Sequence, residues 1–257
     1  MRAVLWHIWI SHYNEKARWA LEYKGIEYER RAPPPGTHVP ISFVLTRGRS
    51  HTFPVLQLDG RTIGDSTEII AALEEAVPEP ALYPSDPGDR ARALELEEFF
   101  DEELGPHIRL LAWHEAARDP ATLEAFGGSL VSGPLRRVAA PLLKGFLNLR
   151  FGVGDKESAE LARQKVVAAL DRLEAELGSG DYLVGDSFTV ADLSAAALFY
   201  PLVGPAEGPR LPPIPPGFEE FQAPLRERRG FKWVSETFRR HRKRPPDRAS
   251  APAPASA

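Results

Sequence analysis

Four prolines between residues 78 and 87 divide the chain into two parts with different patterns. Proline cannot continue a helix and biases its predecessor away from one, so residues 78–88 are predicted to be a linker. Before the linker, short extended segments alternate with helical ones, whereas after Asp89 the patterns are helical. We therefore expect an α/β domain over residues 1–77 and an all-helical domain over residues 89–244.

Apolar spacing and turn residues define the elements of the first part. Extended segments are predicted at residues 3–10, 27–31, 55–58 and 62–63, and helices at residues 15–24 and 66–76. Gly25 is expected to end the first helix, because glycine adopts a left-handed backbone most easily.

The second part is predicted to be helical with two interruptions. Helices are expected at residues 89–104, 108–118, 155–177 and 218–242, and residues 205–216 hold six prolines typical of a surface insertion. Pro106 should kink or interrupt the first of these helices. Thr189 and Asp192 fit a capping box. The Pro/Ala/Ser-rich residues 245–257 are expected to be a disordered tail.

Three segments, taken in order, carry a resemblance to a known family. They are the turn and helix of residues 11–21, the stretch from Phe53-Pro54-Val55-Leu56 to Asp65-Ser66, and Phe188-Thr189-Val190-Ala191-Asp192. The chain in this respect resembles the glutathione S-transferase family. The resemblance implies a thioredoxin-like N-terminal domain that binds glutathione as co-substrate, followed by an all-helical C-terminal domain.

The turn before the first helix holds the candidate catalytic groups. A thiol must be ionised to react, and a hydroxyl donor or a helix N-terminus favours the thiolate. Ser11 matches the family's catalytic serine, and Tyr13 is the competing hydroxyl. Asn14 stands where cysteine-type members carry their nucleophile, which argues against thiol exchange, and it is expected among the residues that bind the cofactor. Ser11 is also a common helix cap, and His12 is interpreted as a surface residue.

Further contacts with the tripeptide are implied by the second segment. Pro54 matches the family's cis-proline, which exposes the backbone of Phe53 for pairing with the cysteinyl unit. Asp65 and Ser66 match the acid–serine pair that holds the γ-glutamyl group, because a helix N-terminus receives a carboxylate and the acid attracts the ammonium. The alternative is that Asp65 forms a capping box with Glu68, and the two interpretations are compatible.

Thr52 is expected among the cofactor-binding residues by its position, although its residue type departs from the family pattern. The family usually places a lysine there to pair with the glycyl carboxylate. Arg47, Arg49 and His51 are open as replacements, and a thiol other than glutathione is an alternative.

The second substrate is expected between the domains, against the helices that follow the linker. Two histidines seven residues apart share one helix face there, and either offers a ligand for haem, although such a stripe is more typical of an interhelical core. The predicted wall consists of Phe99, Phe100, His107, Leu110, Leu111, Trp113 and His114. The basic run of residues 239–244 is interpreted as the positive end of the last helix.

Composition excludes several classes of function. The sequence has no cysteine, which excludes a cysteine metal site, so sulfur chemistry has to come from a ligand. No other metal site is expected either, because no second cluster of metal ligands accompanies the two histidines. With a formal charge of −4 and no apolar run near the roughly 20 residues of a bilayer span, we expect no nucleic-acid and no membrane partner. A cytoplasmic location is expected, since no signal-peptide pattern is present.

Three hypotheses follow. The first is a glutathione transferase-like enzyme, a homodimer by resemblance, that conjugates or isomerises a hydrophobic electrophile. The second is a non-catalytic protein of the same fold that carries haem or another hydrophobic ligand between its domains. A structural role of the scaffold is the third possibility if neither ligand binds.

Overall fold

The computed structural model describes residues 1–34, 36–124 and 136–242; the predicted tail at 245–257 lies outside them. The first part contains strands and helices in alternation. They are β1 (Ala3–Trp6), α1 (His12–Tyr23), β2 (Glu29–Arg31), α2 (His38–Leu45), β3 (Val55–Leu58), β4 (Arg61–Ile63) and α3 (Ser66–Ala76).

The four strands form one sheet in the order β2-β1-β3-β4. β1 and β2 are parallel and are connected through α1, as parallel neighbours require a crossover. β1 pairs with β3 antiparallel, with Leu5 opposite Leu56, and β3 pairs with β4 through the Asp59-Gly60 turn. The carboxyl end of β1 thus leads directly into the turn that carries Ser11.

The second part is helical throughout the residues that the structure describes. Its elements are α4 (Pro87–Phe99), a π-helical turn (Phe100–Leu104), α5 (Gly105–Arg118), α6 (Arg136–Phe151), α7 (Lys156–Leu177), α8 (Val190–Val203), α9 (Pro216–Gln222), a 3₁₀ turn (Ala223–Leu225) and α10 (Arg229–His241). Within these ranges, no helix has the length and apolarity needed to cross a membrane.

Several predicted elements agree with the structure residue by residue. β3 and α3 have the predicted bounds, Gly25 has a positive φ of 67°, and the capping box of Thr189 and Asp192 is present. The interruption expected at Pro106 is also confirmed. Because proline has no N–H for the carbonyl one turn earlier, the chain passes through the π-helical turn before α5 begins.

Other predictions were wrong or incomplete. α1 begins at His12 rather than at residue 15, and α2 was not predicted, since its apolar residues lack helical spacing and only Ser42 is buried. α6 was not predicted either. The helix expected over residues 218–242 is broken at Pro224, where α9 gives way to the 3₁₀ turn.

The two parts share one hydrophobic core. Leu5 and Ile69 of the first part belong to the same buried cluster as Leu96 and Leu198 of the second. α8 lies at the centre, where nearly all its side chains are buried and it packs against α1, α4, α5 and α10. The arrangement of the first part therefore depends on the second.

A buried ion pair also connects the parts. Arg242 follows α10, and its Nε donates to Glu15 of α1 at 2.7 Å, with both side chains fully buried. It also pairs with Glu22. The interpretation of the basic run as the end of the last helix agrees with the structure over residues 239–242, because residues 239–241 form the last turn of α10 and Arg242 follows as its C-cap. Arg239 is an exposed partner of Glu236.

Replacing Arg242 by alanine is expected to lower the free energy of unfolding by about 3 kcal/mol or more, because Glu15 would stay buried without one of its cations. Urea unfolding of the purified variant measures this change. Arg239→Ala removes an exposed arginine from the same run and should leave the unfolding midpoint unchanged. Equal effects of the two substitutions would contradict the buried-pair account.

The same pair should make stability depend on pH. Burial raises the pKa of Glu15, but Arg242 and Arg18 outweigh burial and lower it below its ordinary value of 4.5. A lowered pKa in the folded state contributes stability above the unfolded value, and this contribution disappears as the pH falls through the lowered pKa. The stability difference between wild type and Arg242→Ala should therefore shrink in acid, measured by unfolding across pH 2–7. A constant difference would contradict it.

Candidate functional site

Ser11 is the N-cap residue of α1, directly after the turn that follows β1. Its backbone is extended, its carbonyl accepts from the N–H of Glu15 at 2.9 Å, and its hydroxyl makes no capping bond. The residue is half-buried, and its hydroxyl has no hydrogen-bond partner among the described residues. The hydroxyl is thus available to a ligand, and the ordinary capping role is not observed.

Tyr13 is held differently. Its hydroxyl donates to the backbone carbonyl of Asp101 at 2.6 Å, inside the π-helical turn. Burial raises the pKa of the phenol, and the nearby Asp101 carboxylate raises it further. Gly105 makes this approach possible, since a Cβ there would collide with the tyrosine hydroxyl. The hydroxyl of Tyr13 therefore donates its hydrogen bond to the protein backbone rather than to a ligand.

His12 was expected at the surface, and this was wrong. The side chain is only 3% exposed, and Nε2 lies 2.9 Å from the carbonyl of Gly105. Burial lowers the pKa of the imidazole to about 3, with a further contribution from Arg109. The ring is consequently neutral at pH 7, and Nε2 carries the proton that the carbonyl accepts.

Asn14 lies behind the turn and is fully buried. Its Oδ1 accepts from the N–H of Ile8 at 3.0 Å, and its Nδ2 donates to the carbonyl of Phe53 at 3.1 Å. The amide thus ties the end of β1 to the segment before β3. The predicted contact of Asn14 with the cofactor stays a prediction, whereas its positioning of Phe53 is observed.

The peptide bond between Phe53 and Pro54 is cis, as the resemblance implied. Both side chains are buried, and Thr52 before them is exposed. The carbonyl of Phe53 is occupied by Asn14 and by the Thr52 hydroxyl at 3.3 Å. The N–H of Phe53 makes no hydrogen bond to a described residue, so it is free for a ligand.

Asp65 and Ser66 form the start of α3. Oδ1 of Asp65 accepts from the N–H groups of Thr67 at 2.8 Å and Glu68 at 3.2 Å, so the capping role is real. The second carboxylate oxygen, Oδ2, and the Ser66 hydroxyl have no hydrogen-bond partner in the described part of the chain. Capping and ligand binding can therefore coexist at this helix start.

A buried charge cluster fixes α3 against α1. Lys16 Nζ lies 2.7 Å from Glu97, 2.5 Å from Asp101 and 3.0 Å from the Thr67 hydroxyl. Burial lowers the pKa of Lys16, but the two carboxylates outweigh burial and raise it. The lysine thus stays charged and holds the Ser66 end of α3 beside α1, the helix that follows Ser11.

The three residues considered as replacements for the missing lysine differ in their contacts. Arg49 donates to the carbonyls of Thr46 and Thr62 and so stabilises its own turn. His51 stacks on Phe43 with ring centroids 5.2 Å apart. Arg47 is exposed with a positive φ of 54°.

His38, which the sequence analysis missed, is a better placed alternative. It begins α2, its ring centroid lies 6.2 Å from that of Phe53, and its Nδ1 is buried with no hydrogen-bond partner among the described residues. Burial lowers its pKa, and Arg150 lowers it further. No sequence signal indicated it, because α2 itself was not predicted.

The predicted wall of the second pocket is partly core. Phe100 and Leu111 are fully buried, and His114 is buried with Nδ1 2.7 Å from the carbonyl of Val153. A separate cavity of about 720 Å³ lies in the helical part, lined by His114, Glu115, Arg118, Lys156, Glu160, Arg163, Gly217, Glu220 and Phe221. No group of three or more side chains suited to a metal ion occurs in the described ranges.

Comparisons with known proteins agree on one family. Models described as the N-terminal and C-terminal domains of glutathione S-transferase match residues 5–81 and 156–223, together more than half of the chain. A probable maleylacetoacetate isomerase of Caenorhabditis elegans is 28% identical over 201 residues, which cover 77% of this chain and 78% of that protein.

Solved structures show the same fold. A beta-etherase from Sphingobium sp. aligns with a TM-score of 0.60 and 24% identity, covering 93% of this chain and 100% of that one. A maleylacetoacetate isomerase from Anaeromyxobacter dehalogenans, with dicarboxyethyl glutathione and citrate bound in its active site, aligns with a TM-score of 0.59 and 23% identity over 98% of each chain. The α/β thioredoxin-like domain followed by a helical domain is thereby confirmed as the fold.

Asn14→Ala should release the N–H of Ile8 and the carbonyl of Phe53 from their partner. We expect a loss of about 2 kcal/mol in the free energy of unfolding and faster hydrogen exchange at the Ile8 amide. Asn148→Ala, at an exposed asparagine that accepts from the N–H of Gly154, is the control and should change neither quantity appreciably. Unchanged exchange at Ile8 in Asn14→Ala would contradict the proposed clamp.

Proposed function

Because the chain belongs to the glutathione S-transferase family, we propose that it binds glutathione at the Ser11 turn and uses the thiolate on an electrophilic small molecule. One observation carries this proposal. The hydroxyls of Ser11 and Ser66, the N–H of Phe53 and Oδ2 of Asp65 have no hydrogen-bond partner among the described residues. Asn14 and the Lys16 cluster tie the elements that bear these groups together.

Each group has a role in this proposal. The N–H of Phe53 pairs with the cysteinyl unit of the tripeptide, and Asp65 with Ser66 holds the γ-glutamyl end at the start of α3. The Ser11 hydroxyl donates a hydrogen bond to the sulfur, and the N-terminus of α1 adds positive potential, so the thiol loses its proton to water more readily. His38 offers a donor for the glycyl carboxylate in place of the lysine missing at Thr52.

Isomerisation is the reaction that the relatives favour. A thiolate adds to one carbon of a double bond, rotation about the resulting single bond follows, and elimination returns the thiolate with the double bond in its other geometry. Glutathione is then not consumed. In conjugation the thiolate attacks a carbon that bears a leaving group, and this group departs with the electrons of the bond that breaks. Ser11 serves both reactions by stabilising the thiolate before attack, and in isomerisation also after elimination.

No observation in the described residues supports haem carriage. Of the two wall histidines, His114 is buried in the helical core, and Nδ1 of His107 lies 2.9 Å from the carbonyl of Glu103 in the preceding turn, so both have roles within the protein. We retain catalysis as the proposal, with an absorbance spectrum of the purified protein as the check. A Soret band in that spectrum would favour the carrier function.

We also propose a homodimer in the cytoplasm, as the resemblance implies. Phe43 and Val44 of α2 are exposed by 48% and 73%, which leaves an apolar surface that a second copy would cover. Light scattering should give the dimer mass, and a monomer at micromolar concentration would overturn this part of the proposal.

Ser11→Ala should raise the pKa of the thiol of bound glutathione by about one unit or more, because the sulfur loses its hydroxyl donor. Ultraviolet absorbance of the thiolate across pH measures this pKa. Tyr13→Phe is the matched control, since it also removes one hydroxyl, but one that donates to Asp101. A larger shift in Tyr13→Phe than in Ser11→Ala would move the role to the tyrosine.

Asp65→Asn separates the capping role from the ligand role. Asparagine caps a helix as well as aspartate, so stability should hold, while the loss of negative charge should weaken glutathione binding by about fivefold. Calorimetric titration measures the affinity. Asp86→Asn makes the same change at the cap of α4, where the acid accepts from Gly88 and Asp89, and should leave binding unchanged. Unchanged affinity in Asp65→Asn would reduce the residue to a cap.

A further inference from the structure

Arg109 of α5 is a half-buried guanidinium group with no carboxylate partner and no hydrogen bond among the described residues. Its terminal carbon lies 5.8 Å from the centre of the Tyr13 ring and 5.2 Å from that of Phe151. It therefore stands beside the second residue of α1, next to the turn that presents the Ser11 hydroxyl.

Other sheltered arginines of this chain are paired. Arg18 and Arg242 both bind the buried Glu15, and Arg163 binds Glu115. Removing a guanidinium from water without an anion is unfavourable, so an unpaired one needs a reason. Burial lowers the pKa of Arg109, Tyr13 partly offsets this effect, and the neighbouring Arg150 lowers the pKa further.

Arg150 adds a second cation at the same place. Its guanidinium carbon lies 5.1 Å from the centre of the Phe151 ring, which Arg109 also flanks, and it has no carboxylate partner in the described part of the chain. The whole of α6 contains four basic residues and no acidic one. Of the acids near Tyr13, Asp101 is bonded to Lys16, Asp65 caps α3, and Glu102 is exposed.

We propose that Arg109, assisted by Arg150, binds a carboxylate of the second substrate, so that the enzyme selects anionic electrophiles over neutral ones of the same shape. This inference rests on the proposed function, because it assumes glutathione in the adjacent site. A guanidinium group matches a carboxylate in a bidentate geometry, and the rings of Tyr13 and Phe151 supply apolar walls beside it. The sequence led us to expect a hydrophobic electrophile, and this inference adds that the electrophile carries a negative charge.

A simpler account is that Arg109 only stacks between two aromatic rings, since cation–π contacts of this kind stabilise many arginines. That account predicts no preference for a charged ligand. The two accounts therefore differ in ligand selectivity, which is measurable without knowledge of the natural substrate.

Two glutathione conjugates test the proposal by calorimetric titration of the full chain. S-(4-carboxybenzyl)glutathione and S-(4-carbamoylbenzyl)glutathione have the same shape and differ by one negative charge. Wild type should bind the carboxylate at least about tenfold more tightly than the amide. In Arg109→Gln the preference should fall below about threefold, with the affinity for glutathione itself retained.

Arg118→Gln is the matched control, because it removes the same charge from an exposed position on the same helix and should preserve the preference. Arg109→Met is a second variant that keeps an apolar stem between the rings, and it should also lose the preference for the carboxylate conjugate. If wild type binds glutathione but binds the two conjugates equally tightly, the inference is overturned and the proposed function stands. No binding of glutathione would overturn both.

Discussion

The first half of α1 is polar in sequence and buried in the structure, and the rest of the molecule is arranged around this burial. Asn14, Glu15 and Lys16 are fully buried, and Arg18 is 2% exposed. Consecutive helical residues point in different directions, so each of these side chains must find its partner on a different element. A helix with four such residues is stable only where the surroundings supply partners on every side.

The partners come from both parts of the chain. Asn14 is bonded to the end of β1 and to Phe53, Lys16 to α3 and α4, and Glu15 to Arg242 after α10. Since removing one partner leaves a buried charge, these contacts fix the distances between elements more strictly than apolar packing alone. The turn at Ser11, the segment at Phe53 and the start of α3 at Ser66 are therefore held in one arrangement, which suits the tripeptide site that we propose.

Local patterns explain which features could be predicted from the sequence. β3, α3 and the Thr189–Asp192 capping box depend on neighbours within a few residues, and their positions agree with the structure. The burial of His12 depends on Gly105, 93 residues away, and that of Glu15 on Arg242, 227 residues away. No periodicity encodes such partners. The resemblance indicated Ser11, Asp65 and Ser66, but not His38 or Arg109. His38 lies on α2, which has no periodic signal, and Arg109 lies on α5, which was interpreted as an apolar wall.

Hydrogen bonding also separates the polar groups that support the fold from those that face a ligand. Asn14 and Tyr13 were candidates from the sequence beside Ser11, yet their polar atoms are bonded within the protein. A folded chain satisfies its buried polar groups because each unmet one costs on the order of 1–3 kcal/mol. Groups left unmet at the edge of a sheltered site are therefore those whose partner comes from outside the chain. Ser11 and Ser66 meet this criterion with neutral hydroxyls, which we assign to glutathione. Arg109 meets it with a positive charge, so the same reasoning assigns a negative charge to the second substrate.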